Sequence, residues 1–216
     1  MNTIAPPPAA ALPAGLFIAL EGGDGAGKST QAALLAEALR SAGYDVVRTR
    51  EPGGTEVGEK LRSIVLEHGQ GEIDARTEAL IFAAARAAHA EQLIRPALEA
   101  GKIVITDRYI DSSVAYQGAG RELGVEQIRE LNGWATVGLL PTITVLLDVA
   151  PDEARERRAA ELADRLESEP TDFHHRIRQA FLSLAESNPE HYLVLNARLP
   201  IAELQQAILK QIQELL

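Results

Sequence analysis

Five short apolar runs punctuate the chain at Phe17–Leu20, Asp45–Arg50, Lys102–Thr106, Thr142–Leu147 and His191–Leu195. Between and after them lie longer segments with helical periodicity: Lys28–Ser41, Thr55–His68, Thr77–Ala100, Val125–Thr136, Ala154–Leu166, Phe173–Ser187 and Pro200–Leu216. Buried strands alternating with helices predict an α/β fold, a parallel sheet with right-handed crossovers and helices on both faces. Ligands in such sheets bind beyond the carboxyl ends of the strands. The chemistry is therefore expected in Glu21–Ser29, Arg48–Thr55, Asp107–Gln117, Asp148–Pro151 and Asn196–Leu199. Ahead of the first run, Met1–Pro13 is rich in alanine and proline and reads as a flexible tail, leaving 14–216 as one domain.

Composition narrows the classes of function. A chain of 216 residues suits one α/β domain with a sizeable core. A formal net charge of -10 argues against a non-specific nucleic-acid polymer partner, while leaving room for a small anionic ligand where arginines gather. There are no cysteines, which removes disulfides, thiol catalysis and thiolate metal sites together. The five histidines, His68, His89, His174, His175 and His191, lack metal-ligand spacing and read as solvated or core residues. The start lacks a basic n-region, and no apolar segment is long enough to span a bilayer. A cytoplasmic location with no membrane partner is the expectation.

Directly after the first strand, Gly22-Gly23-Asp24-Gly25-Ala26-Gly27-Lys28-Ser29 fits G-x-x-x-x-G-K-[ST]. The glycines let the backbone turn its N–H groups onto a polyphosphate, and the following helix adds the positive end of its dipole. Lys28 can reach the β- and γ-phosphates, and the Ser29 hydroxyl can ligate Mg²⁺. The loop, with Thr30 just beyond it, predicts binding of a nucleoside triphosphate. After the second strand, Arg50-Glu51-Pro52-Gly53-Gly54-Thr55 makes a rigid turn. Arg50 aims a fork of donors at the crevice, and Thr55 caps the next helix. After the third strand, Asp107 is placed for a Mg²⁺-linked carboxylate and Arg108 for a phosphoryl group. Asp148 ends another strand and competes for the metal role; Asp107 is preferred because an arginine accompanies it. In the helix Thr77–Ala100, Phe82 and Arg86 are spaced i,i+4 on one face, a stacking plate with a planar donor one turn away, which suits a nucleobase.

These motifs, with Phe17-Ile-Ala-Leu-Glu21-Gly22, Phe82-Ala-Ala-Ala-Arg86, Asp107-Arg-Tyr109 and Ala115-Tyr-Gln117 in order, resemble the bacterial thymidylate kinase family across nearly the whole chain after the tail. The resemblance implies a three-layer P-loop fold with a five-stranded parallel sheet. It also implies transfer of the γ-phosphoryl of ATP to dTMP with Mg²⁺, a step in dTTP biosynthesis, and a homodimer. By the same resemblance Arg50 and Arg108 hold the dTMP phosphate, with Glu51 beside them. Phe82 stacks on thymine, Arg86 donates to a thymine carbonyl, Ser113 and Gln117 contact the base, and Tyr116 crowds the sugar 2′ position. Asp24 lies near the dTMP sugar and the catalytic arginine.

The charged segment around residues 151–172 is similar to the family's mobile lid, and Gly25 stands where one branch carries a catalytic arginine. The lid must then supply it, from Arg157, Arg158 or Arg165, with Lys28, Asp24 and Arg108 completing the catalytic set. On a continuous helix Arg155, Arg158 and Arg165 would share a face. Adenine contact is expected near Ala197 and Arg198. A deoxynucleoside kinase would need the phosphate loop and base pocket but not two acceptor-phosphate arginines. A nucleotide switch would show an Asn-Lys-x-Asp signature, which is missing here.

Overall fold

The computed structural model describes residues 15–157 and 163–216. The tail 1–13 and Arg158 lie outside the described residues. Five strands form one all-parallel sheet in the order β2-β3-β1-β4-β5. They are β1 (Leu16–Glu21), β2 (Val46–Arg50), β3 (Ile103–Asp107), β4 (Ile143–Asp148) and β5 (Tyr192–Asn196), each within a residue or so of its apolar run. Helices α1 (Lys28–Ser41), α2 (Glu56–Leu66), α3 (Ala75–His89), α4 (Arg95–Glu99), α5 (Ile110–Ser113), α6 (Val125–Ala135), α7 (Pro151–Arg157), α8 (Thr171–Ser187) and α9 (Ile201–Gln213) surround it. Among the described residues no helix is long and apolar enough to cross a membrane.

Strand β1 shows why a near-continuous apolar run is needed at the centre. Leu16, Ile18 and Leu20 enter one core with Leu35 and Leu39 of α1 and Leu204, Ile208 and Ile212 of α9. Phe17 and Ala19 point the other way, into a core with Ile94, Tyr109 and Ile128. Alternate residues of a strand face opposite sides, so a strand covered on both sides must be apolar at every position. At roughly 1.5–3 kcal/mol per large side chain buried, these two layers hold the strand ends in place beneath the site. A third cluster, with Phe82, Tyr116, Leu146, Leu166, Phe173, Ile177 and Phe181, lies where α3 and α8 flank the segment after α5.

Two features depart from the sequence expectation. The helix expected over Thr77–Ala100 is interrupted by a wide π-turn at Ala90–Ile94 between α3 and α4, and a second π segment, Val114–Gly120, continues α5. The helix expected over Ala154–Leu166 is described as far as Arg157. Residues 165–168 form a turn in which the Asp164 side chain accepts from the N–H groups of Leu166 and Glu167. An aspartate that captures its neighbours' amides competes with helical hydrogen bonding. Arg165 is therefore off α7 and does not share a helix face with Arg155.

Candidate active site

The phosphate loop connects β1 to α1. Gly27 caps α1 with φ 93°, and Gly22 turns with φ 136°, both left-handed conformations that favour glycine. A Cβ at Gly22 would also collide with the Leu147 carbonyl oxygen, so the loop sits tight against β4. Lys28, buried at the start of α1, reaches back to donate to the Gly23 carbonyl at 2.8 Å. Burial first, then the neighbouring Arg108 charge, pull its ammonium down to about 8. Ser29 Oγ donates to Asp107 Oδ2 at 2.5 Å, which brings the end of β3 onto the loop. Asp148, the rival strand-end carboxylate, is held in a bidentate pair by Arg178, Nε–Oδ1 2.7 Å and Nη2–Oδ2 2.8 Å.

Arg108 follows β3 with φ 70°, left-handed for a residue with a side chain, a strain of roughly 1–3 kcal/mol. Its N–H bonds to Leu20 O, and the turn throws the guanidinium back over the loop, where Nη1 donates to Gly22 O (3.2 Å) and Ser112 Oγ (3.1 Å). Nη2 ion-pairs with Asp24, whose other oxygen accepts from Tyr116 Oη at 2.6 Å. Beneath them Glu21 accepts from Tyr109 N (2.7 Å), Ser112 N (3.2 Å) and Ser112 Oγ (2.6 Å). Burial, reinforced by Asp111, lifts its carboxyl to about 8.

Arg86 is enclosed, with a side chain only 2 % exposed. Nε donates to Glu51 Oε2 (2.6 Å), Nη1 to Ser113 Oγ (2.8 Å) and to Asn132 Oδ1, and Nη2 to Tyr109 O (2.8 Å). Glu51 is fixed in turn by His89 Nδ1 (2.8 Å), and His89 Nε2 meets Thr49 Oγ1 (2.7 Å). Arg50 differs: it forks onto Glu59 at 2.8 and 3.0 Å with both side chains about half exposed. The Arg50 hydrogen bond, with the Gly54 N–H, holds Glu59 down at about 2. Thr55 caps α2 as expected, accepting from Gly58 N.

One cavity of about 530 Å³ gathers most of the sequence candidates. Asp24, Gly25, Gly27, Lys28, Ser29, Thr30 and Asp107 line it from the loop side. Arg50, Glu51, Phe82, Arg86, Arg108, Ser113, Tyr116 and Gln117 line it from the other, and Arg157 also borders it. Gly22 and Gly23 border a second, much smaller cavity behind the loop. Arg165 is elsewhere: Nε donates to Val65 O (2.9 Å) and Nη2 to Glu78 Oε2 (2.5 Å). Arg157 donates to Ala197 O (3.1 Å) and to Glu153, which also holds Arg198 (2.5 Å). Glu21, within an expected segment, and His89, a core residue as expected, join Glu78 and Asn132 in supporting the site, a role that no motif assigned to any of the four. A signal existed for two of them. Glu78, Phe82, Arg86 and His89 recur every three or four residues along α3, a stripe of large side chains, three of them polar, on an alanine-rich helix.

The family whose sequence model matches residues 20–208 is Thymidylate kinase. The chain belongs to that family. A thymidylate kinase of Clavibacter michiganensis subsp. michiganensis is 56% identical over 204 residues, 94% of this chain and 96% of that one. A thymidylate kinase of Cutibacterium acnes is 48% identical over 202 residues, 94% and 98% of the two chains. The crystal structure of thymidylate kinase from Ehrlichia chaffeensis superposes with a TM-score of 0.75 at 33% identity, over 93% of this chain and 99% of that one. Membership of the thymidylate kinase family makes this chain a nucleoside monophosphate kinase, phosphorylating dTMP to dTDP at the expense of ATP.

Proposed function

We propose that the 530 Å³ cavity is where the γ-phosphoryl group of ATP passes to dTMP, by positioning and electrostatics and without a covalent intermediate. One observation carries this reading: a phosphate loop and a separate aromatic–arginine pocket open into the same cavity, with Arg108 bonded to both the loop and Tyr116. Lys28 and the loop amides hold the ATP phosphates, and a polyphosphate beside Lys28 favours its charged form. Arg50 and Arg108 take the acceptor phosphate, Phe82 stacks on thymine, and Arg86, Ser113 and Gln117 read its edge. The acceptor phosphate is already ionised, so no strong general base is needed. Asp24 sets Arg108 and Tyr116 at the acceptor sugar, and Glu51 acts through Arg86.

The Ser29 hydroxyl beside the Asp107 carboxylate is a pair of hard oxygen donors suited to Mg²⁺, which takes one or two carboxylates plus phosphate oxygens. Mg²⁺ held there would offset the charge on the triphosphate. We assign the segment 151–172 as a lid that excludes water on closing, with Arg157 as its cavity-facing arginine and Arg165 as the reserve that must first leave Glu78. Arg198 with Ala197 serves the adenine side. We further place the enzyme in the cytoplasm as a homodimer. Ala79, Ala83, Ala85 and Ala90 are covered within the subunit, while Leu80 (58% exposed) and Ala84 of α3 and Trp134 (81%) of the adjoining α6 are exposed and offered to a second copy.

A coupled assay for ADP with Mg²⁺-ATP and dTMP, dUMP, dCMP, dGMP, UMP and thymidine in turn tests the reading. It stands on a strong preference for dTMP over dUMP and thymidine. Turnover of thymidine without dTMP would mean that Arg50 and Arg108 do not hold an acceptor phosphate.

A further inference from the structure

Gln117 lines the cavity, yet the group that decides which way its amide points lies behind it. Its Nε2 donates to Glu78 Oε1 at 2.9 Å, and both residues are buried. Glu78 is paired with Arg121 (Nη2–Oε2 3.0 Å) and with Arg165 (Nη2–Oε2 2.5 Å). An ion-paired carboxylate accepts and does not donate, so only the nitrogen end of the amide can face it. The Gln117 oxygen is then the end turned away, and among the described residues no donor meets it. Arg86, on the same wall of the cavity, is a donor-only group.

We infer that Glu78 is a positioning residue for acceptor specificity: by holding the Gln117 nitrogen, it presents an acceptor beside the Arg86 donor, and so selects bases carrying a ring N–H next to a carbonyl. This rests on the thymine-pocket reading above. A 4-keto pyrimidine offers its carbonyl to Arg86 and its N3–H to the Gln117 oxygen. A 4-amino pyrimidine offers an amino group to a donor and a ring lone pair to an acceptor, a mismatch at both points. A free glutamine could rotate its amide and repair half of that mismatch. Glu78 removes the option, because rotation would bring the Gln117 oxygen against a carboxylate with nothing to donate.

The test compares kcat/KM for dTMP and dCMP in the wild type and in Glu78→Gln, with calorimetric binding of each monophosphate in the absence of ATP. An amide at position 78 can donate as well as accept, so either orientation of Gln117 becomes satisfied. The dTMP-to-dCMP ratio is expected to fall roughly 10- to 100-fold. The change should fall in the acceptor KM and in its binding constant, with the ATP KM unchanged. Glu78→Gln leaves two guanidinium groups facing a neutral amide, so the charge-balanced pair Glu78→Gln with Arg165→Met is measured alongside. Because the readout is a ratio of acceptors, any loss common to both cancels. An unchanged ratio in whichever variant folds, or a loss shared equally by the two monophosphates, overturns the inference. Gln117→Met decides the matter independently, since it keeps the volume and removes the acceptor. Discrimination that survives it also overturns the inference. A wild type that binds and phosphorylates dCMP as well as dTMP defeats the base-pocket reading itself, a distinct failure visible before any variant is made.

Discussion

Glu51 and Glu59 each hold an arginine of the same cavity, and removing each in turn should give very different results. Glu51→Ala takes the Nε partner from Arg86 and the Nδ1 partner from His89, in a pair whose side chains are each 2 % exposed. The remaining partners of Arg86, Ser113 Oγ, Asn132 Oδ1 and Tyr109 O, are all neutral, so the buried guanidinium loses the one carboxylate that pairs with it among the described residues. Breaking a buried pair by deleting one partner costs about 3–5 kcal/mol. Glu59→Ala removes an equally well-formed fork, but at side-chain exposures of 48% and 45%. Exposed pairs contribute about 0–1 kcal/mol, and the lost hydrogen bond from Gly54 N adds about 1 kcal/mol at most. Urea unfolding at pH 7, with m held common, reads both differences. Raising the salt to about 1 M should shrink the Glu59→Ala effect and leave that of Glu51→Ala nearly unchanged. Equal losses in the two variants, or a salt-sensitive Glu51→Ala, would refute the claim that burial separates these two arginines. A companion measurement follows from the same geometry: Glu51→Ala should weaken dTMP binding, because Arg86 loses the group that aims it.

Three further outcomes follow. Gly22→Ala should lose at least about 2 kcal/mol in urea unfolding, from left-handed strain plus contact with the Leu147 carbonyl, whereas Gly23→Ala, where a Cβ meets nothing within 4 Å, should stay within about 0.5 kcal/mol of wild type. For pH, Glu21 keeps its proton in the fold up to about 8, against 4.5 unfolded, so the stability it contributes is full below pH 4.5 and is lost as pH rises towards 8. Lys28, lowered from 10.5 to about 8, acts in the opposite sense above that point: the unfolded chain holds the extra proton between pH 8 and 10.5, so stability recovers there. Unfolding free energies from pH 5 to 10 should therefore pass through a shallow minimum near pH 8, and a Glu21→Gln profile that still falls between pH 5 and 8 would contradict this. Finally, Asp107→Asn should raise the Mg²⁺ concentration needed for half-maximal activity by roughly 10-fold or more. Asp148→Asn should leave it unaltered, and a reversed order would move the metal from β3 to β4.

Much of this architecture is legible in the residues. A central strand must be apolar on both faces, so β1 and β4 stand out in any hydropathy reading, and the loop motif marks the end of β1 at once. Arg50, Asp107 and Arg108 are readable because parallel sheets concentrate ligands at the carboxyl ends of strands. What escapes is the packing behind them. Glu21 meets Tyr109 and Ser112 across separations of 88 and 91 residues, and Glu51 meets Arg86 across 35, contacts that no local spacing announces. The π segment Val114–Gly120 is hidden for another reason: it spaces Tyr116 and Gln117 off the helical period, so a 3.6-residue pattern cannot place them. Asp164 misleads more simply, since an aspartate within an apparently helical run gives no sign of whether it will capture its neighbours' amides.

The brace on α1 has a consequence in the order of synthesis. The helix that carries Lys28 lays Leu35 and Leu39 against Leu204, Ile208 and Ile212 of α9, and Gln31 Nε2 donates to the Ile201 carbonyl at 3.0 Å across 170 residues of chain. The helix of the phosphate loop is thus made well before α9, which covers part of its apolar face, the strands covering the rest. A nascent chain stalled before α9 would carry the whole phosphate loop on a helix packed against the strands but uncovered on the side that α9 takes. A chain cut before Ile201 is therefore expected to keep an intact loop yet hold α1 less firmly, which faster proteolysis than that of the uncut chain would show.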